Sequence, residues 1–421
     1  MHFPQLRGSI SPEARTALFY FIAYGMPGAL GAYFGIWLTD RGLSAGEIGW
    51  INSAPIFLSL LLNLSVGRLA DRAGDWRSAI VIGAFVSLLL TGGLFFASGF
   101  WSMLAVFTLM ILPFALVMPV LDAATMRLTR RNGSNFALVR AFGTVGYVTF
   151  LFGAALVVGM FGAGAYVPLV FAIALARAIV SLVLPRFRAR ADAPPPVVAA
   201  VPAPMAEAAP PAIAPATHLA PTSRLADVLK PWFVAPIVAF ALMQGLHFIL
   251  GAFSGLIWRD NGIDETLVGP LLALGSIAEI FAMLSFRRFA ARFTARHLML
   301  FAVLVSAIRW GGMALNPPLW VLALLQLTHA ATFAIAYLGL LNFIANWTSE
   351  DIAAEAQSFA MVVQTGVIVV SLSSFGYLVD LFGNLAFASG VVTSLLAAAC
   401  LVWSLNLKPA ADTDPPENAT G

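Results

Sequence analysis

Charge is scarce in this chain. Only 10% of its 421 residues are Asp, Glu, Lys or Arg, against 60% hydrophobic, where a soluble chain carries roughly a quarter. A water-soluble globular domain is excluded, and a mean hydropathy of +0.89 marks a polytopic membrane protein. Cysteine is nearly absent. Cys400 stands alone, so there is no internal disulfide framework and no cysteine-based metal site. No Cys/His cluster, P-loop or GxGxxG following a strand occurs, which leaves no encoded nucleotide chemistry. These absences point away from an enzyme, a metal or cofactor site and a nucleic-acid partner.

What remains is long apolar runs. A helix across the hydrocarbon needs about 20 mostly apolar residues, and twelve such stretches lie between charged or Gly/Pro-marked breaks. The first six are 16–38, 46–66, 78–98, 101–126, 137–159 and 164–185. The second six are 232–257, 266–286, 297–315, 318–346, 356–379 and 383–405. The hydrophilic start with Arg7, Glu13 and Arg15 resembles a signal peptide, but the apolar run after it is too long, so it is read as a retained span.

Short-loop Lys and Arg residues set the orientation. Alternate breaks carry Arg68, Arg72 and Arg77; Arg127, Arg130 and Arg131; and Arg287, Arg288, Arg292 and Arg296. The opposite breaks carry only Arg41 and Arg259. The basic set faces the cytoplasm, with both termini inside, in the inner membrane of the cell. Trp37, Trp101, Trp258 and Trp320 then fall at the outer interface as an aromatic belt.

Between the sixth and seventh spans, "RFRARADAPPPVVAAVPAPMAEAAPPAIAPATHLAPTSR" is too rich in Pro and Ala to bury a core and reads as a flexible linker. The expected divisions are an amino-terminal six-helix bundle at 1–185, the linker at 186–230, a carboxy-terminal six-helix bundle at 231–407 and a disordered tail at 408–421. A 6+6 arrangement is the parallel repeat of secondary transporters, whose site lies between the halves near mid-membrane.

Residues 67–77 read "GRLADRAGDWR". The pattern G-x-L-x-D-R-x-G-x-x-R resembles the signature loop of the major facilitator superfamily. Gly67 and Gly74 permit close approach and a tight reversal, and Asp71 can accept from helix amides or pair with Arg72 and Arg77. The resemblance implies a twelve-helix, all-α fold working by alternating access, with this loop as a cytoplasmic clamp that breaks during gating. The matching loop of the second half, "FRRFAARFTAR", keeps the arginines and loses the glycines and the aspartate.

Few ionisable residues fall inside spans: Asp122, Arg140, Arg177, His247, Glu279, Arg309 and His329. Such residues face a cavity or one another. Asp122 and Arg140 are nearly equidistant from the centre of "RLTRRNGSN", so they sit at one depth and can pair. Arg309 and His329 flank "NPPLW" in the same way. Glu279 lies halfway along the eighth span, which makes it the expected partner for Arg309. Gln326, His329, Phe333 and Tyr337 share one broad helix face, and Gln244, His247, Gly251, Gly255 and Trp258 share another. Arg177 sits near the cytoplasmic end, where it can snorkel. In span one, Tyr24 offers a hydroxyl to a cavity, and Gly31 with Gly35 forms a small-residue pair for packing.

Asp122, Arg140, Glu279, Arg309 and His329 resemble the charged set of the lactose permease group. In that group a second glutamate follows the histidine by one turn, and here Thr332 stands there. The runs "QGLHFILGAFSGLIWRDNGIDETLVGPLLALGSIAEI", "LLQLTHAATFAIAYLGLLNFI" and "VRAFGTVGYV" more closely resemble the 3-phenylpropionate permease-like transporters. That resemblance implies a proton-linked permease of a small organic solute, with the proton as its coupling ion. Asp122 and Arg140 then bind solute or lock two helices. His329 relays a proton, binds solute or donates to a backbone carbonyl. Glu279, with Arg309 and His329, is the expected proton-coupling group, and Tyr24, Gln244, His247 and Gln326 are expected solute contacts. A monomer importing an aromatic carboxylate is the first reading. Export, sugar or nucleoside symport, and a non-transporting receptor are the alternatives.

Overall fold

In the hydrocarbon every backbone N–H and C=O must find its partner within the segment, and helices do this. The computed structural model describes residues 10–72, 75–187, 225–290, 292–348 and 350–407. These hold α1 (Pro12–Ala23), α2 (Gly25–Asp40), α3 (Ala45–Arg72), α4 (Trp76–Thr91), α5 (Gly99–Asn132), α6 (Phe136–Phe161) and α7 (Tyr166–Ser181). Then come the single turn α8 (Leu225–Val228), α9 (Pro231–Asp260), α10 (Glu265–Ala290), α11 (Ala295–Ala314) and α12 (Leu319–Leu327). Last are α13 (Ala336–Trp347), α14 (Glu350–Phe382) and α15 (Ala388–Leu407).

No strand occurs among the described residues. Ten stretches are long and apolar enough to span a bilayer, or eleven with the bent pair made by α1 and α2. The last of the ten, Glu355–Leu407, is 53 residues long and contains two helices, α14 and α15, separated by the tight turn Gly383–Phe387. With that division the described helices occupy each of the twelve stretches marked by the sequence. Side-chain caps fix several starts: Ser11 accepts from Ala14, Asp75 from Arg77 and Asn135 from Ala137.

The chain forms two compact units, Met1–Leu30 with Leu61–Ala209 and Gly31–Leu60 with Pro210–Gly421. In the first, α4 packs on α5 and α7, and α1 packs on α6. Its core holds Tyr20, Trp76, Leu121, Leu128 and Phe187. Gly146 lets α6 lie against the backbone of Phe21, so that even a methyl group there would collide with the Phe21 carbonyl. In the second unit, α9 packs on α14 and α15, and α11 on α15 and α13. Each unit turns large apolar side chains outward, Leu89, Phe96 and Met160 in the first and Ile308, Val370 and Leu381 in the second. Such surfaces suit lipid rather than water.

Two spans depart from the single helices expected. Span one breaks at Tyr24 and again at Gly31, whose torsions (φ −19°, ψ −120°) leave the helical region, and the chain bends by 47° there. At the first break Pro27 has no N–H to donate to the Ala23 carbonyl one turn back. Span ten is α12 and α13 joined by a π-helical turn, Ala330–Ile335.

Other expectations are corrected. Trp101 and Trp320 are exposed, but Trp37 and Trp258 are only 3% and 2% exposed; they point into packed protein and belong to no interfacial belt. Arg177 does not snorkel. It is 1% exposed and donates from Nη2 to Ser87 Oγ at 2.5 Å. Gly74 and the side chains of Gly67, Asp71 and Arg72 lie outside the described residues, as do residues 188–224 and 408–421. Arg77 donates to the Leu182 carbonyl at 2.6 Å and ties the start of α4 to the end of α7.

Candidate functional site

In the first unit, α1 with its cap Tyr24, α5 and α6 bring five polar side chains together. Arg140 Nε lies 3.5 Å from Asp122 Oδ1, the pair expected from their equal depths. The Tyr20 hydroxyl donates to the same carboxylate oxygen at 2.6 Å and approaches Thr125 Oγ1 at 3.3 Å. Arg140 Nη2 donates to the Tyr24 hydroxyl. Its guanidinium lies 4.3 Å from the Tyr24 ring centre and 5.4 Å from that of Tyr20. The rings hold the cation by cation–π attraction while both charged side chains stay part-exposed, Arg140 at 30% and Asp122 at 39%. This is an oriented cation with a free edge, suited to a planar anion.

In the second unit a longer chain of contacts runs through α9, α10, α11 and the π turn. Arg309 is 2% exposed. Its Nη2 donates to Gln326 Oε1 at 2.7 Å. Its Nη1 is shared between Thr332 Oγ1 at 3.2 Å and His329 Nδ1 at 3.3 Å. A guanidinium has no lone pair to offer, so His329 Nδ1 is the acceptor and the imidazole proton sits on Nε2. That Nε2 faces Glu279 Oε2 at 3.6 Å.

A second histidine closes the chain. His247 Nδ1 lies 2.7 Å from the Met243 carbonyl, which can only accept, so Nε2 is the unprotonated nitrogen. It accepts from Thr332 Oγ1 at 3.2 Å. His329, Phe333 and Tyr337 stack in sequence with centroids 5.4 Å and 6.2 Å apart, and His247 meets both His329 and Phe333 edge-on. Arg309 Nε and Gln244 Oε1 are buried without a hydrogen-bond partner.

Most of the expected residues therefore meet, with one change of partner. Among the described residues Glu279 forms no ion pair with Arg309, because His329 stands between them. The cation is surrounded by neutral acceptors, and the carboxylate reaches it through an imidazole. Two contact residues, Tyr20 and Thr332, were not expected as site groups. Tyr20 was detectable, since it lies one turn before Tyr24 on the same helix face. Thr332 was marked only as the position where the resembling group carries a glutamate, and the π turn that aims it at Arg309 and His247 leaves no sign in the apolar pattern. Such turns recur at functional sites. Gln244 lies on α9 one turn before His247 and makes no side-chain hydrogen bond from Oε1. Among the described residues no group of three or more His, Cys, Asp or Glu is placed to hold a metal ion.

Helices long and apolar enough to span a membrane carry one polar, charged cluster in each unit, the kind of intramembrane group found along solute and ion pathways. The model of the "MFS_1 like family" matches residues 14–387, and the chain belongs to that family. Over 375 residues it is 26% identical to "Probable 3-phenylpropionic acid transporter" of Escherichia coli (strain K12), covering 87% of this chain and 90% of that protein. Over 366 residues it is 25% identical to "Maltose permease" of Geobacillus stearothermophilus, covering 86% of each. Its fold is similar to the crystal structure of nucleoside transporter NupG, with a TM-score of 0.74 and 13% identity over 95% of this chain and 100% of that one. The protein is a multi-pass membrane transporter of the major facilitator superfamily.

Proposed function

We propose that the protein is a proton-coupled symporter that imports a small aromatic carboxylate by alternating access. The carrying observation is the unbroken chain Glu279–His329–Arg309–Thr332–His247. Protonation of Glu279 removes the anion facing His329 Nε2. The imidazole is then free to turn, and Arg309 loses one of its acceptors. Arg309, Gln326 and Thr332 repack, and the second unit changes which conformation it favours. A ligand shifts such an equilibrium only by binding the two states differently, and a proton on Glu279 does so by abolishing one charge.

The solute reading rests on the first unit. Arg140 is held by Asp122, Tyr20 and Tyr24 yet keeps Nη1 without a protein acceptor among the described residues. A carboxylate fits that edge, and the flanking tyrosines suit an aromatic ring. The name of the 3-phenylpropionic acid relative agrees with this chemistry. The maltose permease relative favours a second reading, symport of a sugar through the same residues. In either reading Tyr24 is a further candidate solute contact within the first unit, and Gln244, His247 and Gln326 are candidates within the second. The protein acts as a monomer in the inner membrane, with its termini and the Gly67–Arg77 loop on the cytoplasmic side.

Proteoliposomes with an imposed inward proton gradient test this reading. Accumulation of 3-phenylpropionate, and not of its neutral amide or of maltose, is the expected result. Accumulation of maltose alone would replace the solute assignment. Uptake indifferent to the proton gradient would remove the coupling.

A further inference from the structure

The second unit includes Gly31–Leu60, and the start of α3 there is completed by a residue far along the chain. Ser44 and Glu47 form a capping box: Ser44 N donates to Glu47 Oε2 at 2.9 Å, and Glu47 N to Ser44 Oγ at 3.2 Å. That device leaves the amides of Ala45 and Gly46 to be satisfied. Both donate to Asp380 at the end of α14, Ala45 to Oδ1 and Gly46 to Oδ2, each at 2.8 Å. One carboxylate thus caps a helix 334 residues away with both oxygens, at the positive end of its dipole.

The contact continues as a strip along α3 and α14. Gly376 lies against the Ala45 carbonyl, and Gly49 against that of Leu372. Trp50 Nε1 donates to the Tyr377 hydroxyl at 2.8 Å, and Ser53 and Ser373 meet through their hydroxyls at 3.0 Å. Small residues permit this backbone-level approach. At the same end of the unit Arg259 pairs with Asp40 at 2.7 Å and lies 3.6 Å from Glu265. A cavity of about 300 Å³ opens beside Asp380, with Ser44, Asp260, Asn261 and Asn384 on its wall. Water there can take over the amides and the carboxylate when they separate.

We infer that Asp380 is a latch: its charge on the amino terminus of α3 holds the α3–α14 strip closed, and opening the strip requires that cap to break. The strip is separable for a physical reason. Its bonds are polar, and those of Asp380 lie beside the cavity, where water can replace them; interlocked apolar side chains would allow no such exchange. Its closed state is stabilised by a charge–dipole contact of the kind that acts within one helical turn. The inference rests on the alternating-access reading for its purpose. Its test uses neither solute nor proton gradient, so it stands or falls apart from the role of Glu279.

The sequence has a single cysteine, Cys400. In a Cys400→Ser background of the full chain in lipid nanodiscs, Ser53→Cys places one thiol inside the strip, where Ser53 is 1% exposed. Its rate of maleimide labelling reports opening. Asp380→Asn should raise that rate about tenfold. Ala45→Pro should raise it about threefold, because it deletes one donor at a helix position that tolerates proline. Ala124→Cys, buried in the first unit, should stay unlabelled in both. Should Asp380→Asn label Ala124→Cys as well, the variant has unfolded and Ala45→Pro decides. Unchanged labelling of Ser53→Cys in a folded Asp380→Asn or Ala45→Pro protein would overturn the latch.

Discussion

Thr332→Val is the substitution that probes the polar chain most selectively. Valine keeps the branched shape and removes one hydroxyl, which accepts from Arg309 Nη1 at 3.2 Å and serves His247 Nε2 at 3.2 Å. A lost hydrogen bond to a charged group costs about 1.5–3 kcal/mol and a neutral one about 1. Two effects lower that sum. Arg309 keeps Gln326 at 2.7 Å and His329 at 3.3 Å. In addition, a chain unfolded within the membrane finds other partners, so interhelical hydrogen bonds there average about 0.6 kcal/mol. The expected destabilisation is about 1–2 kcal/mol. Reversible unfolding in mixed micelles measures it, with Thr332→Ser close to the parent because the hydroxyl returns. A double-mutant cycle with His247→Ala should give a coupling of about 0.6 kcal/mol. Thr332→Val matching the parent within about 0.3 kcal/mol, the scatter of unconnected sites, would refute the chain of contacts.

Three other substitutions check separate parts of the account. Tyr24→Phe removes the hydroxyl that orients Arg140 and should weaken solute binding by about 1 kcal/mol, or roughly fivefold; isothermal titration or counterflow reads this, and stability should barely change. Gly146→Ala pushes a methyl group into the Phe21 backbone and should cost about 1–3 kcal/mol, seen as a lower midpoint in thermal unfolding. Arg177→Met should leave stability unchanged or raise it, by up to about 4 kcal/mol. The reason is that Nε and Nη1 of this buried guanidinium have no hydrogen-bond partner and no carboxylate lies within ion-pair distance among the described residues. A marked loss of stability would mean that Arg177 has compensation beyond Ser87 and the Phe114 ring it covers at 4.9 Å.

Helical architecture was legible because one physical demand, satisfying the backbone in hydrocarbon, leaves apolar runs of a set length. Depth was legible too. A helix rises 1.5 Å per residue, so counting from a short loop placed Asp122 level with Arg140 and Arg309 level with His329, and both pairs are in contact. Angle around the helix was harder. Residue counting could not tell that Trp37 and Trp258 point inward while Trp101 and Trp320 point outward. Nor could it place His329 between Glu279 and Arg309, since depth alone leaves all three as neighbours. The breaks at Gly31 and across Ala330–Ile335 shift helical phase within spans whose apolar character is continuous. Hydropathy does not register such shifts, so the sequence marked Thr332 only as a substituted position and not as the group bonded to Arg309 and His247.

The central claim is that a proton on Glu279 drives uphill transport. Glu279→Gln keeps the shape of the side chain and fixes it in an uncharged form. Uphill accumulation and downhill solute exchange, measured side by side in proteoliposomes holding equal amounts of parent and variant, separate coupling from binding. The account predicts that Glu279→Gln loses proton-driven accumulation while exchange persists. Uphill uptake at the parental rate in Glu279→Gln would contradict it.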